Sequence, residues 1–217
     1  MAREQKFAIE PGGDKRVVVK WQGIWKNVEV LFDGQPLGEP FPNLKALKEG
    51  RQFRLPDGRS LDVRFVQSAF NAQGLTLLLD GRPLPGAGND PRVQIKLAAG
   101  LLYFVAGLSA LLGIVGLAGV RFMRDLGFSW PSLVAGVVLA VLAYVGVKYR
   151  SRVAFGIAAG IIALDMVLTF ALTAGVGHVP FAAIFFRILI LAAVIRGIKA
   201  VGDLRELEKK ELAETFR

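Results

Sequence analysis

The chain has 217 residues, 53% of them hydrophobic, with a formal net charge of +9, one histidine and no cysteine. The missing cysteines exclude disulfides, thiolate metal centres, iron–sulfur clusters and thiol nucleophiles. Residues 1–92 hold 14 Lys/Arg and 11 Asp/Glu, net +3, and residues 93–217 hold 13 and 7, net +6. The basic excess thus sits on the apolar half, where it points to topology and lipid headgroups, and no basic stripe for nucleic acid is found on the polar half.

In chain order, residues 1–14 are polar, with Pro11, Gly12 and Gly13, and read as a loose lead-in. The first thirty residues contain no continuous apolar core of the signal-peptide kind. Short runs rich in Val, Leu and Phe follow, separated by turn signals. Val28–Phe32 ends at Asp33-Gly34, Gln52–Leu55 and Leu61–Phe65 flank Asp57-Gly58, and Leu75–Leu79 ends at Asp80-Gly81. Asp-Gly supplies the positive φ angles of a tight hairpin, so three such pairs predict an antiparallel β domain over residues 15–85. An internal echo supports it. Residues 28–37 and 75–84 share an apolar strand, Asp-Gly, one polar residue and Pro-Leu, the pattern of a pseudo-symmetric sandwich or small barrel. Trp21 and Trp25 flank a turn at Gly23 and read as core packing or a membrane-facing rim rather than a ligand-stacking pair.

Within residues 28–84, Asp33-Gly34, Gly50-Arg-Gln-Phe-Arg-Leu55 and the run Leu75–Leu84 resemble one half of the β-sandwich of Fas apoptotic inhibitory molecule. That resemblance implies a non-enzymatic binding domain. The layout of the whole chain is similar to small four-span bacterial membrane proteins.

Gly86–Pro91 reads as the core of a linker over residues 86–96. Four apolar stretches follow, about 97–120, 132–147, 153–174 and 179–201, each read as a membrane helix. Trp130 and Tyr149 stand where aromatic interface anchors belong. Residues 202–217, rich in Glu and Lys, predict a charged helix leaving the fourth span, with Glu206 and Lys210 paired at i,i+4. Four spans place both termini on one side, together with Arg92, Lys96, Lys148, Arg150, Arg152, Lys199, Arg205, Lys209 and Lys210. The other side holds Arg121, Arg124 and His178. Positive flanks stay inside, so the expectation is a multi-pass protein of the cell membrane with cytoplasmic termini and a cytoplasmic β domain.

The third and fourth stretches each carry one ionisable residue deep inside, Asp165 and Arg187. Asp165 lies roughly 18 Å from the inner end of the third span and Arg187 roughly 12 Å from the outer end of the fourth, at about 1.5 Å per residue. Across a core of about 30 Å these depths coincide. A lone charge there costs at least a few kcal/mol, so the two are expected to pair, as a structural lock or as a relay for protons or ions. Gly156 and Gly160 form a Gly-x-x-x-Gly pair, and Gly107 and Gly113 play the same part in the first span. Such stripes let helices pack closely inside the bundle or between copies in a homo-oligomer. His178, the one histidine, reads as a solvated loop residue, the alternative being an external pH sensor. Phosphate loops, nucleophile elbows and paired catalytic carboxylates are absent from the sequence. No catalytic, metal or cofactor residue is therefore named and no cofactor is expected.

These readings converge on an α+β protein in two parts, an N-terminal antiparallel β-sandwich or small barrel and a four-helix transmembrane bundle. The expected role is a membrane-anchored, non-enzymatic binding or scaffolding protein whose β domain takes a protein partner and no nucleic acid. The alternative is a small transporter or channel component using Asp165 and Arg187. Only Ser109, Thr169 and Thr173 add polar lining to the spans, which favours the tether.

Overall fold

A computed structural model of the chain describes residues 2–66, 74–120, 130–174 and 181–215. It divides into two compact units, Met1–Val93 and Gln94–Arg217.

The first unit holds two antiparallel sheets of four strands each. Strands β1 (Ala2–Phe7), β2 (Val17–Gln22), β3 (Lys26–Phe32) and β4 (Gln35–Pro36) are hydrogen-bonded in that order, and so are β5 (Arg51–Arg54), β6 (Ser60–Val66), β7 (Gly74–Leu79) and β8 (Arg82–Pro83). Helix α1 (Leu44–Glu49) connects them; the Asn43 side chain caps its start by accepting from the Ala46 N–H at 3.0 Å. Period-2 burial puts Val17, Val19, Val28 and Val30 from one sheet and Leu61, Val63, Leu75 and Leu77 from the other into a single buried cluster.

The repeat noticed in the sequence occupies equivalent places in the two sheets. Asp33 and Gly34 (φ 50° and 81°) turn β3 into β4, and Asp80 and Gly81 (φ 49° and 81°) turn β7 into β8. Consecutive positive φ angles are the requirement of a tight two-residue hairpin. Beyond each turn, the Leu37 N–H donates to the Val30 carbonyl and the Leu84 N–H to the Leu77 carbonyl, both at 2.9 Å.

Two boundaries differ from the sequence reading. Residues 2–7 of the lead-in form a strand, because Phe7 buries its ring in the core and all of β1 pairs with β2. The presumed linker is structured as well. Leu84 and Ala87 are buried in the β core, and the Asp90 carboxylate accepts from the Gly86 N–H at 2.8 Å and the Arg92 N–H at 2.9 Å. Asp90 thereby caps helix α2, which starts at Pro91 rather than near residue 97.

The second unit contains most of α2 (Pro91–Leu117), then α3 (Trp130–Lys148), α4 (Arg152–Ala174) and α5 (Phe181–Thr215). Among the described residues three helices, not four, are long and apolar enough to cross a membrane: α2, α3 and residues 152–171 of α4. The fourth predicted span belongs to α5, a single helix of 35 residues that carries Arg187, Arg196 and Lys199 and continues into the charged tail. The predicted span, about 179–201, begins outside the described residues.

Close contacts knit these helices together. The Phe155 ring of α4 is fully buried, and a Cβ placed on Gly146 of α3 would lie 2.9 Å from it. A Cβ on Gly197 of α5 would lie 2.7 Å from the Ala98 methyl of α2, and one on Gly136 of α3 would lie 2.7 Å from the Ala106 carbonyl oxygen. The corner between α3 and α4 is held from α5: Arg150 pairs with Glu208, and Arg205 donates to the Arg150 carbonyl at 3.0 Å.

Candidate functional site

Asp165 projects from α4 and Arg187 from α5, and the two side chains meet: Arg187 Nη2 lies 2.9 Å from Asp165 Oδ2. Thr169, one turn along α4 from Asp165, completes the group. Its hydroxyl donates to the Asp165 carbonyl at 2.7 Å and accepts from Arg187 Nη1 at 2.8 Å. The hydroxyl hydrogen is committed to its own helix, so a lone pair faces the guanidinium. Arg187 therefore holds two acceptors on one face of α4 with two of its donors, which orients it better than a single contact would. The exposure is unequal. The Arg187 side chain is 28% exposed and that of Asp165 58%.

Other residues of interest are not gathered at this group. Gly107, Gly156 and Gly160 are exposed, and no atom beyond their immediate chain lies within 4 Å of where a Cβ would stand. Those three do not mediate packing between these helices, which corrects their reading as bundle-packing glycines; Gly113 is buried. Close approach falls instead at Gly136, Gly146 and Gly197, none of which belongs to a Gly-x-x-x-Gly pair. Arg196 of α5, half-buried, also went unremarked in the sequence, although its charge nine residues beyond Arg187 is visible there. His178, Arg121 and Arg124 lie outside the described residues. Trp21 and Trp25 stack at 4.5 Å between ring centroids, and Trp25 meets the Phe65 ring at 5.0 Å. Among the described residues no cluster of His, Asp and Glu is placed to hold a metal ion.

Two ion pairs of the β unit stand at its hairpin turns. Arg16 Nε donates to Asp33 Oδ1 at 2.8 Å, and Arg59 Nε donates to Asp57 Oδ2 at 2.9 Å. The hydrogen bond from Arg16 holds the Asp33 carboxyl below the usual carboxylate range, and side-chain and backbone bonds from Arg59 do the same for Asp57. A depressed folded pKa stabilises the fold above the unfolded-state value, and that contribution disappears as pH falls through the folded value. Lowering the pH below about 4 should therefore reduce the stability of the β unit. Asp33→Asn and Asp57→Asn should each flatten part of that acid limb, read from unfolding midpoints across pH. An unchanged limb in both variants would refute the assignment.

No family model, curated protein or solved structure matches the chain.

Proposed function

We infer that this is an integral membrane binding or scaffolding protein without catalytic activity. Four helices fix a cytoplasmic β-sandwich to the inner face of the cell membrane, with both termini inside. The observation that carries this reading is the division into two compact units, each with its own buried core. A β unit that closes its own core can present its surface to a protein partner while the helices serve as anchor.

A fourth span in α5 is supported by three features. The charge of Arg187 is met by Asp165, which lowers the cost of carrying it within a membrane. Arg196 and Lys199 fall toward the end rich in positive residues, where long side chains reach the headgroups. Finally, 35 residues of helix extend about 52 Å, well beyond a core of about 30 Å, so the charged tail has room outside.

The exposed carboxylate of Asp165 favours a second reading, a conduit component with Asp165 as its proton or ion site. Flux into liposomes separates the two. For a scaffold, wild type and Asp165→Asn should both leave proton and cation flux at the level of protein-free vesicles. Flux that wild type supports and Asp165→Asn abolishes would overturn the scaffold and establish the conduit.

A further inference from the structure

Each helix of the second unit places one cation at a common level. Contacts define that level. A Cβ on Gly146 of α3 would stand 2.9 Å from the Phe155 ring of α4. One on Gly197 of α5 would stand 3.8 Å from the same ring and 2.7 Å from the Ala98 methyl of α2. Neighbouring helices run in opposite directions. Arg150, just before α4, meets Glu208 and Asp165 meets Arg187, while Gly136 of α3 lies against Ala106 and Gly146 shares its level with Ala98. Two or three residues from that level, all toward one end, come Lys96, Lys148, Arg152 and Lys199, a rise of about 3–5 Å. All four are exposed, and among the described residues none pairs with a carboxylate.

Two of these cations are held in place. Lys148 Nζ donates to the Tyr144 hydroxyl at 2.7 Å and lies 5.7 Å from the centre of the Tyr149 ring. Arg152 lies across α5 at Gly202, where a Cβ would overlap its Nη2, so only glycine leaves the guanidinium room. Lys199 stands three residues before Gly202, and helix neighbours at that spacing have Cβ atoms about 5–6 Å apart. Arg152 and Lys199 therefore converge from two helices. Arg205, on the other side of Gly202, is already committed to the Arg150 carbonyl. Apolar surface begins directly beside the pair: Val153 follows Arg152 and is 70% exposed, and Ile195, one turn before Lys199, is 53% exposed. What fits such an edge is anionic at one end and apolar along the rest.

The geometry points to a binding site for an anionic phospholipid at the edge between α4 and α5: Arg152 and Lys199 take the headgroup phosphate, and an acyl chain lies against Val153 and Ile195. The guanidinium offers phosphate a planar fork of donors and the ammonium a compact charge. Basic sites between helices near a membrane surface bind anionic headgroups in this way. The site rests on the reading of the helices as membrane spans, and it adds to that reading a preference among lipids.

The test uses the full chain reconstituted in phosphatidylcholine bilayers with a trace of phosphatidylglycerol or phosphatidylcholine spin-labelled on an acyl chain. Paramagnetic resonance then gives the fraction of each label immobilised at the protein. Wild type should prefer phosphatidylglycerol by about threefold or more, the scale expected of cations near an anionic headgroup. Arg152→Gln should lose at least about half of that preference. Gly202→Ala should do the same while leaving stability unchanged, because it displaces the guanidinium without removing it. Lys209→Gln, about 15 Å further along α5 than Lys199, should keep the preference. Equal immobilisation of the two lipids by wild type overturns the site, and so does a preference that survives both Arg152→Gln and Gly202→Ala. No immobilised component with either label overturns the membrane reading beneath it. Exchanging chloride for inorganic phosphate at equal ionic strength should leave the preference intact. Its loss would assign the two cations to free phosphate and overturn the lipid site.

Discussion

Gly136→Val should be the most damaging single substitution in the helical unit, lowering stability by about 3 kcal/mol or preventing assembly. The reason lies in what the new side chain meets. A Cβ at this position would stand 2.7 Å from the Ala106 carbonyl oxygen and 3.0 Å from the Ala110 nitrogen. Both are backbone atoms in the middle of α2, so no rotamer change relieves the clash and the helices must part. Where lipid is as apolar as the side chains, close packing supplies much of the drive for helix association, and parting two helices forfeits that contact along their length. Gly197→Val meets the Ala98 methyl in the same manner. Gly202→Ala, by contrast, meets the end of the Arg152 side chain, which can swing away at little cost. Gly156→Val and Gly160→Val should change stability by no more than about 0.5 kcal/mol, because they add a side chain to open space. Unfolding midpoints of the reconstituted variants check the series. Larger losses at 156 and 160 than at 136 would show that those glycines pack against another chain.

That contrast shows where sequence reading stops. Two glycines four apart are visible as a stripe, but whether the stripe faces a neighbour depends on how the helix is rotated about its axis, which no local pattern records. Gly136 and Gly146 are ten residues apart and Gly197 stands alone, so their contacts carry no spacing signal. The β unit was far more legible. Asp-Gly turns need φ angles that few other pairs adopt, and alternation with period 2 assigns each side chain to a face without reference to distant residues. Asp33-Gly34 and Asp80-Gly81 are accordingly found where the turn chemistry and the echo put them. The segment 86–91 was misread for a physical reason. Its Gly, Asn and Pro content resembles a solvated linker, while Leu84 and Ala87 are buried and Asp90 caps a helix. An aspartate followed by proline at a helix start is the signal that would have found it.

Asp165→Leu and Arg187→Leu should each destabilise the protein by about 3 kcal/mol, the scale on which an unpaired charge near the centre of a membrane helix is penalised. Each removes the neutralising contact of the partner's charge: Arg187 would keep its bond to the Thr169 hydroxyl but lose the carboxylate, and Asp165 would lose the guanidinium. The double variant removes both charges together and should recover most of the loss, since apolar side chains of similar size often replace an ion pair at little cost. Thr169→Ala should cost less than either single change, because Arg187 keeps its 2.9 Å contact with Asp165. The measurement is a double-mutant cycle on unfolding in bicelles, in which a coupling near the size of either single loss assigns the pair as a lock between α4 and α5. Single variants as stable as wild type would mean that water or headgroups already reach the site. The 58% exposure of Asp165 would then be exposure to an aqueous path rather than to lipid, and the conduit reading would gain the advantage. The cycle therefore tests the dryness of the site, on which the choice between a lock and a pathway turns.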